Sequence, residues 1–299
     1  MPQLSAEFGY YPQPLDLTSG PVTIATLADL EQTVTDVTND EMVDGEWIYC
    51  GPQLTQNFGG EVFERPYPTR VFGLPKTHRL EHISADGPDH LNFHFWALSF
   101  FAGIRLTAEE AGFLDATPIK PRKLVDFVLL GNGLSNGIML AEAFWQRNAR
   151  APEQCQRWAA AVHALYLAHY PQALQFEKFI HLYTALDACF AIIKPKRQIP
   201  HAARIEWMCT ELGMPVPAWA SLSGTGQTKV AAIRNAAIHE ALFMGAPLGF
   251  ALHGTGTNQN LTLEMEALVC RFLVALIGGA DRSYISSKVN TRQRHGLRL

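Results

Sequence analysis

A chain of 299 residues is long enough for one large hydrophobic core or two smaller ones. Charged residues make up only 17%, against an average of about 25%, so extensive burial and a subunit interface are expected. The net charge of −4 excludes a global attraction to nucleic acid, and any RNA contact must use local basic patches.

Five scattered cysteines, Cys50, Cys155, Cys189, Cys209 and Cys270, form no C-x-x-C pair. They read as reduced thiols, not a disulfide framework. The N-terminus has no basic, apolar leader, and no apolar run approaches the length of a membrane span. A soluble cytoplasmic protein without membrane contact is the expectation.

Residues 1–130 read as an N-terminal α+β or irregular β region. Prolines and glycines punctuate short apolar stretches at Val22 to Leu27, Glu46 to Cys50 and Arg70 to Leu74, which suggest short strands. Acidic residues 29–44 read as a solvated face or loop. The apolar run from His90 to Ile104 fits helix or strand equally. Thr107-Ala-Glu-Glu110 has the capping-box pattern and predicts a short helix.

Residues 131–280 predict an antiparallel helical bundle, so the fold class reads as mainly α. Helices are expected from Asn136 to Trp145, Pro152 to His169, Ala173 to Ile193, His201 to Leu212 and Leu261 to Ile277, each bounded by Pro, Gly or Asn. Residues 281–299 hold five Lys/Arg and one acid. They read as a solvated, partly disordered basic tail, with RNA contact as the functional alternative.

One further helix carries the chemistry. Lys229 to Met244 is dense in alanine, with a loop from Gly224 to Thr228 before it and Gly245 and Pro247 after it. Val230, Ile233, Ala237, Ala241 and Met244 predict a core stripe. The opposite side, Ala232, Asn235, His239, Leu242 and Phe243, is too apolar for an ordinary solvent face. Asn235 and His239 are i and i+4, hence neighbours. Regular geometry sets Arg234 about 140° from His239. Either Arg234 reaches round, the helix begins irregularly, or the two act with copies from a partner chain.

Arg234-Asn235-x-x-x-His239 resembles the signature of the HEPN superfamily (higher eukaryote and prokaryote nucleotide-binding domains), over about residues 135–280. The resemblance implies an α-helical bundle and a metal-independent endoribonuclease without a cofactor, with Arg234, Asn235 and His239 catalytic. It implies a homodimer with a composite cleft, an acidic residue on a neighbouring helix, matched here by Asp187, and a place in toxin–antitoxin or antiviral defence with an antitoxin or regulatory partner. A non-catalytic HEPN-like module binding RNA, nucleotides or protein is the alternative. Asp187, beside the Phe176–Phe179–Tyr183–Leu186 stripe, is expected to pair with Arg234 and offset its desolvation. Lys229 and the loop residues Lys194, Lys196 and Arg197 are candidate RNA contacts.

Other constellations are weaker. His78-x3-His82 and His90-x3-His94 have metal-ligand spacing, with Asp86 and Asp89 between them. No cysteine joins them, Pro88 interrupts the region, and H-E-x-x-H is absent, so they read as packing histidines and no metal is assigned. Ser223 to Lys229 and Gly254-Thr-Gly256 lack the spacing of phosphate-binding loops.

Overall fold

The computed structural model describes residues 3–193, 198–224, 226–250, 260–290 and 293–299, without the side chains of Pro66 and Tyr67. The chain divides into two compact units, residues 1–124 with 134–139, and residues 125–133 with 140–299.

The first unit is built on strands β1 (Leu4–Gly9), β2 (Leu17–Ser19) and β3 (Val22–Thr26), and on helix α1 (Leu30–Thr38). Short strands β4 (Val43–Asp44), β5 (Trp47–Tyr49), β6 (Pro52–Gln56), β7 (Val62–Pro68) and β8 (Val71–Phe72) follow, then β9 (Lys76–His82), helix α2 (Pro88–Ala102), β10 (Phe113–Leu114) and β11 (Ala116–Pro118). Four strands form one antiparallel sheet in the order β1-β9-β3-β2. Alternation along β9 buries His78, Leu80 and His82, as a half-covered strand requires. Those positions meet α2, whose Leu91, Phe95, Leu98 and Ala102 pack with Phe8, Val22, Ile24 and Leu80 in the core.

The ambiguous run at His90 to Ile104 is therefore helix. Pro88 opens it at a position where its missing N–H costs nothing, and Gly103 closes it in the left-handed region at φ 63°. Of two local expectations, one is refined and one fails. Within residues 29–44, Leu30–Thr38 form α1, burying Leu30, Thr33 and Val37 on one face and leaving Glu31, Gln32 and Asp36 on a solvated one. Thr107 starts no helix; its hydroxyl accepts from the Glu109 amide at 3.1 Å, a tight turn of the kind that competes with helix.

The second unit holds β12 (Phe127–Leu129), most of α3 (Gly133–Arg147), α4 (Glu153–Ala168), α5 (Gln175–Ile193), α6 (Arg204–Glu211), α7 (Lys229–His239), the hairpin β13 (Leu242–Phe243) and β14 (Ala246–Pro247), α8 (Leu261–Ile277), α9 (Arg282–Ile285) and β15 (His295–Leu297). Helices α4, α5 and α8 pack together. Trp158 of α4 is fully buried there and donates its indole N–H to the Leu273 carbonyl of α8 at 3.1 Å.

The mainly α expectation is overturned: helix is 43% and strand 19%, with several small sheets across the chain, a mixed α/β fold. Strands occur in the C-terminal half as well. β13 pairs with β14, and β12 pairs in parallel with β15. Residues 281–290 and 293–299 are accordingly no loose tail. The Asp281 carboxylate caps α9 by accepting from the Ser283 and Tyr284 amides, and β15 joins a sheet.

The five cysteines are buried thiols without disulfides, and burial pushes Cys155 and Cys209 up to about 12. Among the described residues no helix is long and apolar enough to cross a membrane.

Within this unit His169 Nε2 lies 2.8 Å from Glu266 Oε1. Burial opposes charge on both groups, but mutual attraction outweighs it, so the His169 pKa is raised and that of Glu266 lowered. The His169 contribution is complete below its ordinary value of 6.5 and is lost as pH rises through its raised native value. The Glu266 contribution is present above 4.5 and is lost as pH falls through its depressed native value. Thermal stability should therefore plateau between these two values and decline on both sides. Glu266→Gln should abolish the His169-linked decline on the alkaline side in melting curves recorded across pH; an unchanged profile would show that the pair does not couple to folding.

Candidate functional site

Helix α7 presents the motif. Thr228 caps it in extended geometry, its hydroxyl accepting from the Ala231 amide at 3.2 Å. The alanine-rich stretch then runs only to His239, not to Met244. Ala241 and Met244 adopt positive φ of 54° and 52°, and the chain turns into the β13–β14 hairpin. The core stripe shifts in consequence. Val230, Ala231 and Ala237 are buried, Ala241 is exposed, and Arg234 lies at the centre of the inward arc. Leu242 and Phe243 leave the opposite face, with Phe243 buried 5.5 Å from Phe179 and 5.9 Å from Phe176 between ring centroids.

Arg234 and Asn235 are half-buried, and Arg234 Nη1 donates to Asn235 Oδ1 at 3.1 Å. That contact fixes one edge of the guanidinium. His239 stands exposed in the last turn, and Lys229 is exposed in the first. Lys194, Lys196 and Arg197 lie outside the described residues.

Asp187 does not take the expected role. Its Oδ1 accepts from Arg204 Nη1 at 3.2 Å, and its Oδ2 lies 3.4 Å from His201 Nε2. His201 in turn stacks on Tyr183, with centroids 5.5 Å apart and planes at 21°, while its Nδ1 is 3.0 Å from the Tyr183 hydroxyl. The turn entering α6 thus supplies the cation that Arg234 was expected to provide. Tyr183 marks where the two arrangements meet. Burial raises its pKa first, the Asp187 charge adds to that, and Arg234 and Arg204 both oppose it. Among the described residues Asp187 contacts Arg204 and His201, and Arg234 contacts Asn235.

Tyr183, His201 and Arg204 are the members of this polar seam that the sequence did not single out. The i, i+4 spacing of Tyr183 and Asp187 was the available signal. The exposed side of α7 retains Ala232, Ile238 and His239, flanked by half-buried Asn235 and Ala236. Chemically, the helix offers a positioned guanidinium, an amide and a solvent-facing imidazole. No family model, curated protein or solved structure matches the chain.

Proposed function

We propose that this chain is a metal-independent endoribonuclease of the HEPN type. One observation carries the reading. A single capped helix holds Arg234 against Asn235 at 3.1 Å and ends on exposed His239, the three residues of the motif. RNA carries its own nucleophile, the 2′-hydroxyl. His239 takes the proton of that hydroxyl as the 2′-oxygen bonds to phosphorus, and the bond to the 5′-oxygen breaks as that oxygen gains a proton. Arg234 offers its guanidinium to the phosphate oxygens, where charge accumulates.

One imidazole cannot be base and acid in the same instant, which favours a second copy of the chain supplying its own His239 to a shared groove. The exposed Ala232 and Ile238 flank would form the contact. Lys229 and the 194–197 segment supply candidate phosphate contacts. Action in toxin–antitoxin or antiviral defence, with an antitoxin or regulatory partner, belongs to the same proposal.

Incubation of the purified chain with end-labelled RNA in EDTA tests it. Cleavage to 2′,3′-cyclic phosphate and 5′-hydroxyl ends is expected. Strict dependence on an added divalent ion would overturn the mechanism, and RNA binding without cleavage would leave a non-catalytic module.

A further inference from the structure

The paired histidines of the first unit are split by the fold, and the split changes their reading. His78 belongs to the aromatic core. Its ring stacks on Phe8 at 5.6 Å and 24°, and its Nδ1 lies 2.9 Å from the Thr77 hydroxyl. His82, His90 and His94 instead converge. His82 is the last residue of β9 and shares its inward face, while His90 and His94 are i and i+4 on the first turns of α2. The chain between 82 and 88 folds the helix back on the strand end. Ring centroids are then 4.4 Å apart for His82–His90 and 5.1 Å for each of the other two pairs. All three residues are buried, at 0%, 0% and 1% exposure.

We infer that His82, His90 and His94 bind a first-row divalent transition-metal ion of the zinc type, which fastens the end of β9 to α2. One ring nitrogen from each lies within 4.8 Å of the others. In a tetrahedral zinc site with bonds of about 2.1 Å the ligand nitrogens sit about 3.4 Å apart, so a contraction of up to about 1.4 Å completes the arrangement. A set of three imidazole nitrogens suits zinc and its neighbours and does not suit magnesium or calcium.

At His94 and His90 the surroundings favour Nε2 as the ligand atom. The Nδ1 of His94 donates to the His90 carbonyl at 3.1 Å, the backbone contact that orients many metal-bound imidazoles. The Nδ1 of His90 has the Asp86 carboxylate at 3.6 Å, which can hold the Nδ1 proton once Nε2 carries the metal. The Ser84 and Asp86 amides donate to Nδ1 of His82 and His90 at 3.2 and 3.3 Å, which places the ring proton of each neutral imidazole on Nε2. Loading moves these protons to Nδ1, and the His82 ring turns from the Ser84 amide. The competing arrangement is a metal-free cluster in which the three rings share their protons.

Metal content and reloading separate the two. The full-length chain, stripped with EDTA and dialysed against Zn²⁺, is expected to bind about one ion per chain at the cluster and to melt at higher temperature, because the ion binds only the folded state. Co²⁺ in its place should give the visible absorption of a tetrahedral nitrogen-ligated site. His90→Gln and His94→Gln should each lower zinc affinity by more than about 100-fold, while His239→Ala keeps the metal. Wild-type protein that takes up neither ion and melts unchanged overturns the inference without need of a variant. A folded His94→Gln that retains the Co²⁺ spectrum overturns it equally. None of these measurements reads RNA cleavage, so this inference and the ribonuclease proposal can fail separately.

Discussion

His239→Ala is expected to lower RNA cleavage by about 10²-fold or more while leaving the fold intact, because it removes the group proposed to move the proton. His239 is exposed in the last turn of α7, and truncating such a surface residue costs within about 0.5 kcal/mol of stability. Single-turnover cleavage and a thermal melt on the same sample therefore separate chemistry from folding. Arg234→Lys should lose activity as well. A lysine is a point charge and does not combine the contact to Asn235 Oδ1 with a forked contact to phosphate. Since Arg234 lies on the inward arc of α7, its variant needs the melt more than His239→Ala does. Full activity in folded His239→Ala would end the ribonuclease proposal. The composite groove adds a test of its own. Mixing His239→Ala with an Arg234 variant should restore part of the activity if two chains share one cleft, and should restore none if each chain works alone.

The long elements were legible where one periodic signal dominated. Leu261 to Ile277 matched α8 at both ends, because a largely apolar stretch of seventeen residues carrying Glu264, Glu266 and Arg271 and stopped by glycine has few alternatives. Paired short strands were not legible. β12 and β15 are three residues each and meet from opposite ends of the second unit, too short for an alternating window and too distant for a turn signal. The α7 boundary failed for a related reason. Ala241 and Met244 fit a helical stripe by residue type, yet each takes a left-handed φ to build a hairpin. Tertiary demand on Phe243, which fills the space beside Phe176 and Phe179, outweighs local propensity there.

The motif itself could be read from spacing, since Arg234, Asn235 and His239 lie on one helix. The partner of Asp187 could not. Arg204 and His201 come from another element, and only the path of the chain between α5 and α6 brings them within reach. The histidines show the converse. Their i, i+4 spacing on α2 was visible, but the convergence of His82 and the withdrawal of His78 depend on which end of β9 the first turns of α2 reach, which sequence spacing does not fix.

The largest effect on stability is expected at Arg271 of α8, whose exposure is 1%. Its Nη1 donates to Asp126 Oδ2 and to the Ala267 carbonyl, each at 2.6 Å, and its Nη2 donates to the Ser287 hydroxyl at 2.8 Å. Tyr284 of α9 donates to the other Asp126 oxygen at 2.5 Å and lies under the guanidinium at 4.9 Å. This network joins the segment before β12 to α8 and helps hold α9 and the turn after it in place. Asp126→Ala strips the guanidinium of its counter-charge and the phenol of its acceptor in a site with little water. Removing one partner of a buried pair costs about 3–5 kcal/mol, which for a unit of this size lowers Tm by about 10 °C. Asp126→Asn keeps an acceptor without the charge and should fall between wild type and alanine. The double variant Arg271→Met with Asp126→Leu should be more stable than Asp126→Ala alone, because it leaves no orphaned charge. Melting curves of the four proteins read this directly. A loss under about 1 kcal/mol for Asp126→Ala would show that water or the Ser287 hydroxyl already satisfies the guanidinium.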